Sequence, residues 1–197
     1  MRVLLAVLDP VRRADLVGLL EQRWYCVDTV ETAAQLAIAL GTRTWDAVVV
    51  EVGIDVPQIQ SPGCRADEVI HLPAGEVAEA CALSQLQAID HRRGPPGDGS
   101  LVAGALTLDL DAREARVGNR RVPLKRREYQ ILKLLMRHRG EVVPTEVLHE
   151  NVYGWEAAVA SNALHVHVHH LRCKLAGEFI RTVRGGGFML RCDPDVG

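Results

Sequence analysis

The chain lacks a long apolar run. Its first one, Val3-Leu4-Leu5-Ala6-Val7-Leu8, meets Asp9-Pro10 at once, well short of a signal-peptide core or a membrane span. A protein that is neither secreted nor membrane-embedded is expected, in the cytoplasm. Paired cysteines are missing too: Cys26, Cys64, Cys81, Cys173 and Cys192 are odd in number, scattered, and form no C-x-x-C motif. That pattern argues against a disulfide framework or a zinc knuckle and fits a reducing compartment. The triple glycine Gly185-Gly186-Gly187 is followed by no G-K-[ST], so it reads as a turn and not as a phosphate cradle. No nucleophile-base pair or complete metal-ligand set is evident, so the chain is expected to be no enzyme and to hold no cofactor or metal.

What is present is apolar content of 48% over 197 residues, enough for one ordinary core or two small ones. Charge is divided unevenly. Residues 1–93 carry 8 Arg and Lys against 13 Asp and Glu, whereas residues 101–197 carry 15 against 11. A basic half beside an acidic one suggests a polyanion as partner of the basic half.

In the acidic half, residues 3–8 read as a buried parallel strand feeding a helix, with Asp9 as N-cap and Pro10 at its first position. The helix runs to about Arg23, and residues 25–30 give a second strand. Ala33, Leu36, Ala37 and Leu40 mark the buried stripe of a second helix that Gly41 stops, and residues 47–52 give a third strand. This alternation specifies an α/β unit with parallel pairing. Residues 54–65, with Pro57, Pro62 and Gly63, show no period; residues 68–72 resemble a strand and 74–92 a helix. Val77, Ala80, Cys81, Leu83 and Leu86 give that helix a broad apolar surface, for self-association, for a partner, or simply to cover a small sheet. Residues 94–100 have the Gly, Pro and Ser content of a linker, which divides the chain into 1–93 and 101–197.

The second half reads as α+β. Residues 106–108 and 115–117 are short strands, and Gly118-Asn119 turns the chain into Arg121-Val122. Helices follow at 126–139, with Ile131, Leu134 and Leu135 inward, at 145–152 and at 161–175, with Ser161 as N-cap of the last. Residues 180–183 and 188–190 are strands around an Arg184-Gly185-Gly186-Gly187 tip, which is a wing.

On the last helix, Leu164, Val168, Leu171 and Leu175 share one stripe, while Val166, His169, His170 and Cys173 lie opposite, flanked by His165, His167, Arg172 and Lys174. One apolar stripe with imidazole, ammonium and guanidinium groups elsewhere suits a DNA major groove. Taken alone, it also suits a solvated helix with incidental histidines. His165/His169 and His169/Cys173 are i,i+4 pairs that could share an ion, but residues 165 and 173 are about 12 Å apart along a helix, so a full site needs ligands from elsewhere.

Several ordered segments carry a resemblance: Arg126-Arg127-Glu128-Tyr129 to Leu135, Gly140-Glu141-Val142-Val143, Val152-Tyr153-Gly154, Ser161 to Val168, Leu171-Arg172, Lys174-Leu175, and Arg181 to Phe188. Together they resemble the winged helix-turn-helix domain of OmpR/PhoB-type response regulators. The resemblance implies double-stranded DNA as partner, with Tyr153, Asn162, His167, Arg172 and Thr182 near phosphate. It places His165, Val166 and His170 at base edges and Arg184 in the minor groove; His169 and Lys174, on the polar side of the same helix, are expected to bind DNA with them. The family usually has Asp at position 165 and Arg at 169, 170 and 173. With histidine and cysteine there, an altered base preference is expected, and binding that strengthens as pH falls through about 6.5.

The same family carries an N-terminal phosphate-accepting receiver, which residues 1–93 resemble in part. Glu51 stands at the nucleophile position, Val7 and Leu8 where acidic residues usually lie, leaving Asp9, and Leu72 where a lysine is usual. Receiver chemistry needs those groups, so Mg²⁺-dependent phosphorylation is not expected. Between Glu51 and Pro73 there are too few residues for the usual units, so a reduced sheet is expected. The leading expectation is a phosphorylation-independent, homodimeric transcriptional regulator with possible contacts to RNA polymerase or a regulatory protein. The alternatives are a protein-interaction regulator acting through the degenerate receiver, and a metal- or redox-responsive DNA-binding sensor.

Overall fold

Asp9 and Pro10 start a helix for the reasons their order implies. The Asp9 carboxylate accepts from Arg12 N at 2.8 Å, and Pro10 takes the first helical position, where an N–H would have no partner. In the computed structural model, which describes residues 1–54, 68–73, 78–92, 99–155, 162–176 and 179–191, this helix is α1 (Pro10–Gln22). It follows β1 (Arg2–Ala6) and leads to β2 (Cys26–Val30), α2 (Ala33–Thr42), β3 (Ala47–Glu51), β4 (Val69–Leu72) and α3 (Ala78–Arg92). The described strands form a parallel sheet ordered β2-β1-β3-β4, with Leu4 opposite Asp28 and Val48, and Val49 opposite Ile70. This is the reduced parallel sheet expected.

The central strands β1 and β3 are apolar at Val3–Ala6 and Ala47–Val50 because both faces are covered there. Val3, Leu5, Val49, Ile70 and Leu72 share a core with Leu16 and Leu20 of α1 and Ala82, Leu86 and Ile89 of α3. Leu4, Val48 and Val50, which point to the other face, are equally buried. The second helix departs from its expected stripe: Leu36, Ala39 and Leu40 are buried, Ala33 and Ala37 are exposed, and the helix passes Gly41 to end at Thr42. Its sequence AAQLAIALGT has no charged residue to mark an outer face, so its inner face is not legible from pattern alone. In α3, Leu86 covers the sheet and Leu83 packs partly against the core, whereas Ala80 and Cys81 are exposed; Val77 lies outside the described residues.

The chain divides into two compact units, Met1–Asp90 and His91–Gly197; most of the expected linker lies outside the described residues. The second unit opens with an antiparallel sheet ordered β5-β6-β7-β8: β5 (Ser100–Ala103), β6 (Leu106–Asp109), β7 (Glu114–Val117) and β8 (Arg120–Val122). Then come α4 (Arg126–Arg137), β9 (Val142–Val143), α5 (Thr145–Tyr153), α6 (Ala163–Leu175), β10 (Ile180–Val183) and β11 (Gly187–Leu190). A second antiparallel sheet has the order β10-β11-β9, pairing Phe188 with both Thr182 and Val143. Gly187 is required there: its φ is 133°, and a Cβ would run into the Val143 carbonyl. Helix α4 is buried round most of its circumference, including Glu128, Tyr129, Ile131, Leu132, Leu135 and Met136, while Leu134, expected inward, is half-buried.

Candidate nucleic-acid interface

Helix α6 is anchored by Leu164, Val168, Leu171 and Leu175, none more than 1% exposed. Each such burial stabilises by roughly 1.5–3 kcal/mol. At its C-terminal end, Arg120 Nη2 donates to the Lys174 carbonyl at 3.0 Å, a cation where the helix dipole favours one. Ala176 then ends the helix in the left-handed conformation. The opposite side shows solvent His165, Val166, His169, His170 and Cys173. Asn162 precedes the helix, exposed and without a side-chain capping bond; Ser161 lies outside the described residues.

Arg172 ties this helix to the wing. Its Nε donates to the Ile180 carbonyl at 3.0 Å and its Nη2 to Thr182 Oγ1 at 2.6 Å, while the guanidinium carbon lies 6.0 Å from the Phe188 ring centre. His165 meets the same Phe188 ring edge-on, with centroids 5.4 Å apart. Helix face and wing therefore form one surface, with Arg184 exposed at the turn between β10 and β11. Arg172 and Thr182, each expected near phosphate, are brought together by their mutual hydrogen bond.

At the inner edge of this surface, Tyr153 lies 4.9 Å from the His149 ring and 6.3 Å from that of His167, with the Arg127 guanidinium carbon 5.0 Å from its centre. The Tyr153 hydroxyl and His167 Nδ1 are both covered and without a hydrogen-bond partner. Burial pushes the Tyr153 hydroxyl up, against the opposing Arg127 charge. Burial likewise pushes the His167 imidazole down, despite the nearby Glu128 carboxylate, so this ring is neutral at pH 7.

Lys174 departs from its expected place on the DNA face. Its ammonium donates to Glu128 Oε2 at 2.6 Å and to the Pro123 carbonyl at 3.0 Å, which makes it an internal anchor between α6 and α4. Glu128 is the residue whose importance the sequence reading missed. It sits three positions after Lys125 and its Oε2 accepts from Lys125 N at 2.8 Å, closing the first turn of α4. That spacing was the available signal. Burial alone would raise this carboxyl, but the bonds from Lys125 N and Lys174 outweigh it and hold it below the ordinary value. Its other oxygen, Oε1, is buried with no hydrogen-bond partner and lies 3.9 Å from His170 Nδ1.

On the exposed side, Cys173 Sγ and His169 Nε2 are 3.7 Å apart. No group of three or more potential metal ligands occurs among the described residues.

In the other unit, Glu51 ends β3 and its carboxylate is engaged on both oxygens. Oε1 accepts from Arg12 Nη1 at 2.7 Å and Oε2 from Leu8 N at 3.1 Å; Arg12 Nη2 donates to the Pro73 carbonyl at 2.9 Å. Asp9 is committed to capping α1. A Mg²⁺ ion and a phosphoryl group do not fit this set: the one carboxylate at the acceptor position already has a guanidinium, and Val7 and Leu8 offer no side-chain oxygen.

Residues 119–190 match the family described as "Transcriptional regulatory protein, C terminal". The matched residues run from the turn before β8 through α4, α5 and α6 to the end of β11. The family is one of transcription regulators. The chain is 41% identical to the transcriptional regulatory protein QseB of Escherichia coli O157:H7 over 107 residues, which are 54% of this chain and 49% of QseB. It thus spans about half the length of that relative. With the transcriptional regulatory protein BasR of Escherichia coli K12 it is 27% identical, over 96% of this chain and 97% of BasR. The crystal structure of the Klebsiella pneumoniae RstA DNA-binding domain in complex with the RstA box is 25% identical, covering 49% of this chain and all of that one, with a TM-score of 0.45. No helix among the described residues of this chain is long and apolar enough to cross a membrane.

Proposed function

We propose that the chain is a sequence-specific, DNA-binding transcriptional regulator that works without a phosphoryl signal. Residues 101–197 are the reader, 94–100 a linker, and 1–93 a receiver-like domain for self-association or a partner protein. The observation that carries this reading is the surface made by the exposed side of α6 and the wing, held together by Arg172. Helix α6 enters the major groove, with His165, Val166 and His170 at base edges and His169 beside them. Asn162, Arg172 and Thr182 approach phosphates, as do Tyr153 and His167 at the inner edge. Arg184 enters the minor groove, where a narrow groove's negative potential favours a guanidinium. The protein acts in the cytoplasm as a dimer on tandem or inverted half-sites, with RNA polymerase or a regulatory protein as further partner.

Independence of phosphorylation is supported by the Arg12–Glu51 pair, which occupies the place where a receiver accepts phosphate. The test is selection of bound sequences from a random duplex pool at two salt concentrations. Enrichment of one half-site with affinity falling steeply in salt is expected; a pool that stays random contradicts the reading. A second reading, a thiol- or metal-responsive reader, is favoured by the 3.7 Å approach of Cys173 Sγ to His169 Nε2 on the exposed side of α6. It requires that Cys173→Ser abolish a response of DNA affinity to oxidant or chelator.

A further inference from the structure

The buried Glu128 carboxylate and the half-exposed His170 belong to different helices, yet their polar atoms face each other. Both donors available to Oε2, Lys125 N and the Lys174 ammonium, are already placed on it. Oε1 is left with no hydrogen-bond partner, and His170 Nδ1 lies 3.9 Å from it. Glu128 is ionised at neutral pH and can therefore only accept. An imidazole with its lone pair on Nδ1 would set acceptor against acceptor, and a buried carboxylate oxygen without a donor is unfavourable. With the proton on Nδ1, a shift of about 1 Å at the ring brings the pair to hydrogen-bond distance.

From this juxtaposition we infer that Glu128 sets the tautomer of His170 and so decides which base His170 reads. With Nδ1–H held toward Glu128, Nε2, across the ring, carries the lone pair and is an acceptor. In the major groove an acceptor pairs with an exocyclic amino group, that of cytosine or adenine, and is repelled by the O6 and N7 of guanine and the O4 of thymine. The specificity of this position therefore resides in a residue of α4 that touches no DNA. This inference rests on α6 being the reading helix.

Glu128→Gln inverts the arrangement. Lys125 N and Lys174 still donate, so the amide oxygen must stay at the Oε2 place and the amide NH₂ must take the Oε1 place. That NH₂ donates to His170 Nδ1, which moves the imidazole proton to Nε2 and makes His170 a donor. Duplex selection with the wild type is expected to enrich cytosine or adenine at one half-site position. Glu128→Gln should move that position to guanine or thymine by about fivefold in relative affinity, and His170→Ala should make it indifferent, with other positions unchanged. Selection of the same base by Glu128→Gln, or an unchanged half-site with His170→Ala, overturns the inference. A second readout needs neither DNA nor a variant: ¹⁵N shifts of histidine-labelled wild type at pH 7.5 should show His170 protonated at Nδ1, and protonation at Nε2 overturns it. A random wild-type pool would contradict the DNA-reading function itself, while the ¹⁵N spectrum still judges the tautomer.

Discussion

Glu51 in one unit and Glu128 in the other are both neutralised from within, and in different ways. Glu51 has both oxygens engaged, by Arg12 and by Leu8 N, and the same guanidinium reaches on to the Pro73 carbonyl. Glu128 has one oxygen doubly engaged by Lys125 N and Lys174 and the other still without a partner, 3.9 Å from a histidine of the exposed helix. A carboxylate that accepts on both oxygens is held in place by its own donors. One open on a single oxygen still acts on its neighbour. The first unit thus has a receiver-like sheet with both Glu51 oxygens engaged, and the second has an exposed helix side beside a carboxylate with one oxygen still open.

Substitutions can break this contrast at several depths. The largest effect is expected in the anchor of α6: Leu171→Ala removes a fully buried side chain and should cost about 2–5 kcal/mol in denaturant unfolding, with DNA binding lost. Next is Arg184→Ala, which leaves folding unchanged, lowers DNA affinity roughly tenfold and reduces the salt slope by about one, as measured by titration at several salt concentrations. Arg12→Ala, in the other unit, removes the bonds to Glu51 and the Pro73 carbonyl, should cost about 1 kcal/mol because solvent still screens part of the pair, and should leave DNA affinity unchanged. A large loss of DNA affinity in Arg12→Ala would mean that the sealed site still governs the reader.

Acid should act on the reader's stability in two stages. The folded His167 titrates below its ordinary 6.5, so the unfolded chain binds more protons there; stability is full above about 6.5 and is lost as pH falls from there through the lower folded value. Glu128 is also held below its ordinary 4.5, and its contribution, present above that value, is lost as pH falls through the lower folded value. Urea midpoints of residues 101–197 within the full chain, followed from pH 8 to 4, should fall in that order. His167→Gln should remove the first stage. This sharpens the expected acid strengthening of DNA binding: His167 is not among the rings that supply the added charge near neutral pH.

Much of this was legible in the sequence where one local rule acts alone. Asp9-Pro10 specified a capped helix start, the 164, 168, 171, 175 stripe specified the buried side of α6, and the Arg184 to Gly187 tip specified a turn. Elements whose existence depends on a distant partner were not. Strand β9 is two residues, Val142 and Val143, held by pairing with Met189 and Phe188, and β5 is four residues paired with β6. Side-chain direction was the weakest point of the site. Lys174 and Arg172 lie two apart on one helix with similar charge, yet one turns inward to Glu128 and the other across to the wing. Only the placement of α4 and β10 decides between them.

The proposed function requires DNA reading that does not depend on phosphorylation of Glu51. The direct measurement is the affinity of the full chain for its selected half-site pair, with and without Mg²⁺ and a small-molecule phosphoryl donor, alongside mass spectrometry of the chain. Unchanged affinity with no added phosphoryl mass is the predicted result. A phosphorylated Glu51, or an affinity that rises with the donor, would contradict it.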